Sequence, residues 1–484
     1  MKSLTTHPAS TAYSLVAALT ALGHAAHAHD LLSGQFPLGI CQKASPSPEL
    51  QICSQDGTAI SSIGSHGSSG PLGKNTSDAV APLSHISIWS QATPCYQNAS
   101  REASPEFCVF TSPTFADSHG ITLVTTSKRA AHFSQKPAFV QPDTVRGTNR
   151  DIVFETEHGR DADLPALKYR IEAMPAKGYG VVATQPILRG DLIMSTTASI
   201  LFDYQVYDEL SEDVSRKLQA AGIDSLPELH RARYMNLSTH DGAESTHEAT
   251  VSKILNTNAF DIDSDDDGPY GFFAVFPEIS RFNHDCRPNS DYYFDHDTLT
   301  QYVHAVRPIA AGEEITVSYI DLIQTRKQRL RKLKSSWGFP CSCSLCTQSD
   351  ALSKASDARI AQIHELRVDL QDYTESSRAT PEMAELLVSL YQQERMDAMI
   401  YEAYSYAAIE WNGAGEPWTA IKYARLAIEY GMLSVGSWDA EVDDMRQMAT
   451  DPWTHWSWLL RKTKRMQWGK KGDQQNAKSG QGKP

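Results

Sequence analysis

"RFNHDCRPNS" (residues 281–290) sets an amide, an imidazole, a thiol and a second amide around a proline. A thiol two residues from a histidine reads in one of two ways. Either Cys286 is a nucleophile with a neighbouring base, or it is a ligand that fastens this segment to another. The other cysteines bear on the choice. The stretch "CSCSLC" (341–346) places Cys341, Cys343 and Cys346 within a few residues of one another, too crowded to pair as disulfides without strain. Three local thiolates need a fourth ligand to complete a tetrahedral structural zinc site, and Cys286 is the one remaining cysteine of the C-terminal half. Free buried thiols are the competing reading, but a metal is the better partner for this spacing. On that basis Cys286, Cys341, Cys343 and Cys346 are expected to hold Zn2+, with Cys286 a ligand and not a nucleophile.

Working outward, the chain of 484 residues is long enough for two to four units of about 150 residues each. Its 41% hydrophobic and 21% charged residues are ordinary for a folded protein and exclude wholesale disorder or a multispanning membrane protein. The net charge of −14 argues against nonspecific nucleic-acid binding and suits a basic protein substrate. No direct nucleic-acid binding, no membrane span and a monomer are the expectations.

The N-terminus carries Lys2, the apolar run "AYSLVAALTALG" (12–23) and "AHA" (26–28), the layout of a secretory signal peptide over 1–28. That run is too short to span a bilayer, which needs about 20 residues. Residues 29–165 are rich in Ser, Pro and Gly and read as a small loop-rich module with short strand-like runs such as "FCVF" and "GITLVTT". Gly-punctuated strand runs ("YGVVATQPI", "DLIMSTT", "QYVHAVRPI", "EEITVSYI") make 166–348 a β-rich core, interrupted by a helical insert near 203–255. From 349 to 484 the period becomes helical, with Trp418, Ile421, Ala424 and Ile428 on one face and paired helices like tetratricopeptide hairpins. The stretch after Trp468 reads as a disordered tail.

Three further signals are weaker. "AKGYGVVAT" (176–184) has two glycines that let a backbone approach a ligand, but lacks the third glycine and the helix of a dinucleotide site. "DSDDDG" (263–268) imitates half of a calcium loop, yet Ala274 stands where a bidentate glutamate is required, so it reads as a solvated acidic loop. "RKQRLRKLK" (326–334) reads as a solvated basic helix face, with substrate docking or nuclear import as lesser options.

Taken in order, "KGYG", "TNAF" (257–260), "RFNHDCRPN", "GEEITVSYID" (312–321) and "WGFPCSCSLC" (337–346) form a series. It resembles the SET-domain protein lysine methyltransferases, in particular the SET-and-MYND subfamily and its fungal relatives, over about 166–348. The chain departs from that subfamily in having no MYND-type Cys/His cluster. The small N-terminal module is a second departure, unrelated to that subfamily; with it, the β-rich SET domain with a pseudoknot and a zinc-bound post-SET segment that the resemblance implies, and the helical TPR-like C-terminal domain, the chain is expected to be an α+β protein. The resemblance implies S-adenosyl-L-methionine as cofactor, lying across Lys177, Gly178, Tyr179 and Gly180 and contacted by Asn258, Asn283 and His284. It also places Tyr319 where the methyl group crosses and Phe339 over the cofactor and the lysine channel. The implied activity is methyl transfer to lysine of a protein substrate. The rival is a catalytically inactive SET/TPR-like binding module, and a third reading is a secreted protein adapted to an extracellular task.

Compartment is a separate question. A signal-like start, sequons at Asn75 and Asn98, and four early cysteines suggest the secretory pathway, with Cys41–Cys53 and Cys95–Cys108 as natural pairs among three connectivities. A cytosolic cofactor and a zinc thiolate site favour the cytoplasm or nucleus. Routing to the secretory pathway is the expectation.

Overall fold

A computed structural model describes residues 88–90, 94–98, 100–101, 104–141, 167–175, 177–239, 242, 244–265, 271–374 and 376–462, and the backbone of 40–41 and 51–52. The expected signal peptide, Cys53, Asn75 and the tail after Trp468 lie outside the described residues. Residues 1–84 and 85–484 are separate units. The first contributes an antiparallel pair, β1 (Ile40–Cys41) with β2 (Gln51–Ile52). All that follows concerns the second.

Its strands are β3 (Cys95–Gln97), β4 (Glu106–Ser112), β5 (Ile121–Thr126), β6 (Tyr169–Met174), β7 (Gly178–Ala183), β8 (Leu192–Thr197) and β9 (Ile200–Asp203). They continue with β10 (Phe260–Ile262), β11 (Phe272–Val275), β12 (Asn283–His284), β13 (Ser290–Asp295), β14 (Thr300–Ala305) and β15 (Glu314–Val317). Among the described residues they form three sheets, ordered β10-β11-β9-β5-β4-β3, β12-β15-β7-β6 and β13-β14-β8.

The first sheet corrects the expected domain division. β4 and β5, assigned from sequence to a separate loop-rich module, pair with each other, and β5 pairs in parallel with β9. Both are buried along nearly their whole length, as strands covered on two faces must be. Phe107 and Val109 point to one core, shared with Leu218, Ile223, Val251 and Ile254 of the helical insert. Cys108 and Phe110 point to the other, shared with Val181, Ile309 and Ile315. Residues 95–126 are therefore a layer of the β-rich core and not a module beside it. The expected Cys95–Cys108 disulfide is present, joining directly opposed residues of β3 and β4.

The insert supplies α1 (Glu212–Asp224), α2 (Glu228–Met235) and α3 (His247–Asn258). After β15 comes α4 (Arg326–Trp337), opened by a capping box between Thr325 and Gln328. Gly338 closes it at φ 76°, a left-handed turn that only glycine adopts without strain, and so redirects the chain into 339–346.

The C-terminal region is helical, as expected: α5 (Asp350–Leu370), α6 (Pro381–Gln393), α7 (Ile400–Gly413), α8 (Pro417–Ser434) and α9 (Ala440–Thr450). The buried stripe of α8 differs from the expected one. Ala420, Ala424, Ala427, Gly431 and Ser434 face inward, whereas Trp418 is 72% exposed. Small residues let α8 lie close to its neighbours, and hydrophobicity alone does not mark that face. No described helix is long and apolar enough to cross a membrane.

Candidate functional site

The site is built where β12 pairs in parallel with β15, Asn283 opposite Thr316 and His284 opposite Val317. β15 also pairs with β7, so three separated motifs share one sheet. Asn289 holds the crossing. Almost fully buried, it donates to the Glu314 carbonyl at 2.8 Å and accepts from the Thr316 N–H at 2.8 Å.

On the β7 side, Asn283 Nδ2 donates to the Tyr179 carbonyl at 3.1 Å and to Glu314 Oε1 at 2.8 Å. The other Glu314 oxygen takes Lys177 Nζ at 2.6 Å. With both amide hydrogens engaged, Asn283 offers a ligand its carbonyl oxygen, an acceptor. Gly180 permits this approach: a Cβ there would meet Met174 Cγ at 2.7 Å and Asn283 Nδ2 at 2.8 Å. Tyr179 is half exposed, with Arg281 over its ring at 5.3 Å. Lys177, Gly178, Tyr179, Gly180 and Asn283 are thus brought together. Glu314, which ties them, was not singled out from sequence; its place within "GEEITVSYID" was the available signal.

On the other side, Tyr319 donates its hydroxyl to the Phe282 carbonyl at 2.7 Å, and its ring lies 5.4 Å from both His284 and Trp337. Burial, reinforced by Glu314, raises the Tyr319 hydroxyl well above its ordinary pKa, so it is a neutral phenol. His284 is also turned inward. Its Nδ1 accepts from the Tyr319 N–H at 3.1 Å, which leaves the proton on Nε2, 3.3 Å from Cys286 Sγ. Burial lowers its pKa to about 4, so the ring is neutral near pH 7. Expected at the cofactor, the His284 ring has both nitrogens engaged within the protein. Phe339 is partly buried beside it, 6.4 Å between centroids.

Asn258 ends α3. Its amide donates to the Ser238 and Ile254 carbonyls at 2.9 and 2.8 Å, tying the end of the helix to the loop that precedes it. It joins the site through its neighbour, since Trp337 Nε1 donates to the Thr257 carbonyl at 3.2 Å.

Cys286, Cys341, Cys343 and Cys346 converge, their sulfurs all within 4.8 Å of one another. Cys286 Sγ lies 3.6 Å from Cys346 Sγ and 4.0 Å from Cys341 Sγ. Leu333 of α4 and Leu345 pack around them. Four thiols at these separations match the edges of a small tetrahedral metal site, and the cluster can hold a metal ion.

The segments that form this site lie in a region with known relatives. A family model described as SET domain matches residues 178–320. The histone-lysine N-methyltransferase set5 of Schizosaccharomyces pombe is 31% identical over 199 residues, covering 40% of this chain and 56% of that protein. The N-lysine methyltransferase SMYD2-B of Danio rerio is 26% identical over 181 residues, covering 37% and 40%. The human N-lysine methyltransferase SMYD2 is 38% identical over 96 residues, covering 20% and 22%. The chain thus matches about half or less of the length of these relatives.

Proposed function

Because the chain carries a SET domain at 178–320, we propose that it is a protein-lysine N-methyltransferase that uses S-adenosyl-L-methionine. The observation that carries the reading is the parallel pairing of β12 with β15, which sets Asn283 beside Lys177 and Gly180 on one side and Tyr319 over Phe282 on the other. The acceptor oxygen of Asn283, left over when its amide hydrogens are engaged by Tyr179 and Glu314, fits a cofactor bearing an ammonium group. When bound, S-adenosyl-L-methionine supplies a methyl group on a sulfonium.

The residues do the positioning. Lys177, Gly178, Tyr179, Gly180 and Asn283 form the binding edge, Asn258 and the His284 main chain its far end, and Phe339 with Trp337 an apolar wall that excludes water. Tyr319 cannot act as a base at neutral pH, since its hydroxyl is neutral and donated to a carbonyl. Its role is alignment of the incoming amine, which must arrive deprotonated at a cost of roughly 4–5 kcal/mol near pH 7. No covalent enzyme intermediate is required.

In this reading the thiol tetrad is a structural zinc site that fastens a post-SET segment (341–346) to the 281–290 segment, and the β12–β15 crossing is the pseudoknot. The helical region is TPR-like and forms one side of the cleft for a protein substrate. Routing to the secretory pathway stays a proposal, supported by the signal-like start and the Cys95–Cys108 disulfide. The inactive-module alternative has no observation in its favour. The test is transfer of a labelled methyl group to a protein library, with the Tyr319→Phe variant as control; a folded, cofactor-binding protein that labels nothing would sink the proposal.

A further inference from the structure

We infer that the exposed cationic stripe of α4, formed by Lys327, Arg331 and Lys334, is a docking surface for an acidic segment of the protein substrate. The inference rests on the methyltransferase reading above and adds the chemistry of the substrate away from its lysine.

Residues 322–349 contain six arginines and lysines and no aspartate or glutamate, in a chain whose net charge is −14. Lys327, Arg331, Lys332 and Lys334 are exposed. Lys327, Arg331 and Lys334 follow one another at helical spacing and so lie along one line of α4. That line runs beside Leu330, Leu333 and Trp337, which pack with the cysteines and Tyr319. Among the described residues none of the three cations pairs with a carboxylate.

Local stability does not account for this arrangement. Like charges one turn apart, such as Lys327 and Arg331, repel each other. Lys327 also stands in the first turn, which holds no acid and where the helix dipole disfavours a cation. The balanced alternative is seen in α1, whose cations Arg216 and Lys217 each pair with an acid one turn earlier, Glu212 and Asp213. An anion from outside the chain is what α4 lacks.

The surroundings favour a peptide as its source. An open cleft of about 370 Å³ between α4 and α5 is lined by Lys327, Leu330 and Lys354, two cations and an apolar side chain. The carboxylates of that cleft, Asp350 and Asp357, are both held by Arg326: its Nη1 donates to Asp350 at 3.2 Å and its main-chain N–H to Asp357 at 2.8 Å. A nucleic-acid duplex would carry its phosphates past the rest of an acidic protein, whereas a short acidic segment meets only the stripe. The stripe also leads to the site, since α4 ends at Trp337, whose ring is 5.4 Å from that of Tyr319. Lys327 lies roughly 15 Å along the axis from that end, so carboxylates on the stripe stand up to about five residues from the methylated lysine in an extended substrate.

The test uses the full chain and a triple variant combining Lys327→Ala, Arg331→Ala and Lys334→Ala, exposed changes that suit a helix. Lys327→Glu, favoured by the dipole in the first turn, is a second variant with the same expected direction, and Arg216→Ala with Lys217→Ala on α1 is the control. Fluorescence anisotropy of a labelled short glutamate peptide is expected to show binding by wild type and control that weakens about tenfold or more in the triple variant and fades as salt rises. For the protein most heavily labelled in a methyl-transfer assay on a protein mixture, KM should rise in the triple variant with kcat unchanged, because the stripe touches no reacting group. Equal peptide binding by wild type and triple variant, an equal loss in the control, tighter binding of a short DNA duplex than of the peptide, or an unchanged KM would each overturn the inference and leave the methyltransferase reading standing. Wild-type protein that binds the peptide but labels no lysine would instead overturn that reading, and the assignment of the docked segment to a substrate with it.

Discussion

Arg287 and Glu394 form an ion pair at 2.8 Å with side chains only 2% and 1% exposed. Arg287 directly follows Cys286, and Glu394 caps α6, so the motif of the candidate site is bolted to the helical region by a sealed charge pair. Arg359 and Ser356 of α5 also donate to Glu394, at 2.6 and 2.8 Å.

Glu394→Ala leaves Arg287 buried without its partner and is expected to cost about 3–5 kcal/mol. Replacing both residues with apolar ones of similar volume should recover much of the loss. Urea unfolding of the single and double variants checks this, and strictly additive losses would contradict it. The pH dependence has a definite sign. Burial alone would raise the Glu394 carboxyl, but hydrogen bonds from Ser356, Arg287 and Arg359 hold it below the usual glutamate range. Its contribution is therefore present above the unfolded value of about 4.3 and is lost as pH falls through the folded one.

Gly180→Ala puts a methyl group 2.8 Å from Asn283 Nδ2. The expected outcome is a folded protein with cofactor affinity reduced about tenfold or more, since Asn283 must leave its place between Tyr179 and Glu314. Calorimetric titration with S-adenosyl-L-methionine reads this, and wild-type affinity would contradict the placement of the cofactor edge.

Cys286→Ser removes one sulfur of the tetrad. Zinc content, thermal stability and cofactor affinity are expected to fall together, because the same segment carries Asn283. Metal analysis beside a melting curve checks it; full zinc content in the variant would exclude Cys286 as a ligand.

His119 and His230 stack face to face, 3.6 Å between centroids, in the interior. Burial, then His230 and Arg233, lowers the His119 pKa; burial also lowers that of His230, partly opposed by Glu278. Folded pKa values below the unfolded value of about 6.5 mean that both rings are neutral in the fold. Their stability contribution is full above that pH and is lost as pH falls from it. A denaturation midpoint that drops between pH 7 and 5, and drops less in His119→Gln, is the expected result.

Much of this was legible because it is local. "NHDC" and "CSCSLC" announce their chemistry by residue type, and the thiols converge as that spacing required. Strands such as "EEITVSYI" follow from alternation and β-branched residues. What was not legible depends on partners distant in sequence. Nothing in "FCVF" says whether its second face is covered by solvent or by α1, and that hid the shared sheet. Glu314 looks like any strand-end acid until Lys177 arrives. The inward turn of the His284 ring depends on the Tyr319 main chain, and the packing face of α8 is marked by small size, which a hydrophobicity pattern does not register.

The most direct test of the central claim is where a methyl group lands. Purified full-length protein, incubated with S-adenosyl-L-methionine carrying a deuterated methyl group and a complex protein mixture, is followed by mass spectrometric localisation of the label. The predicted result is deuterated methyl on lysine Nζ, with at least about a hundredfold less in Tyr319→Phe at unchanged cofactor affinity. Label confined to other residue types, or equal labelling by the Tyr319→Phe variant, would contradict the account.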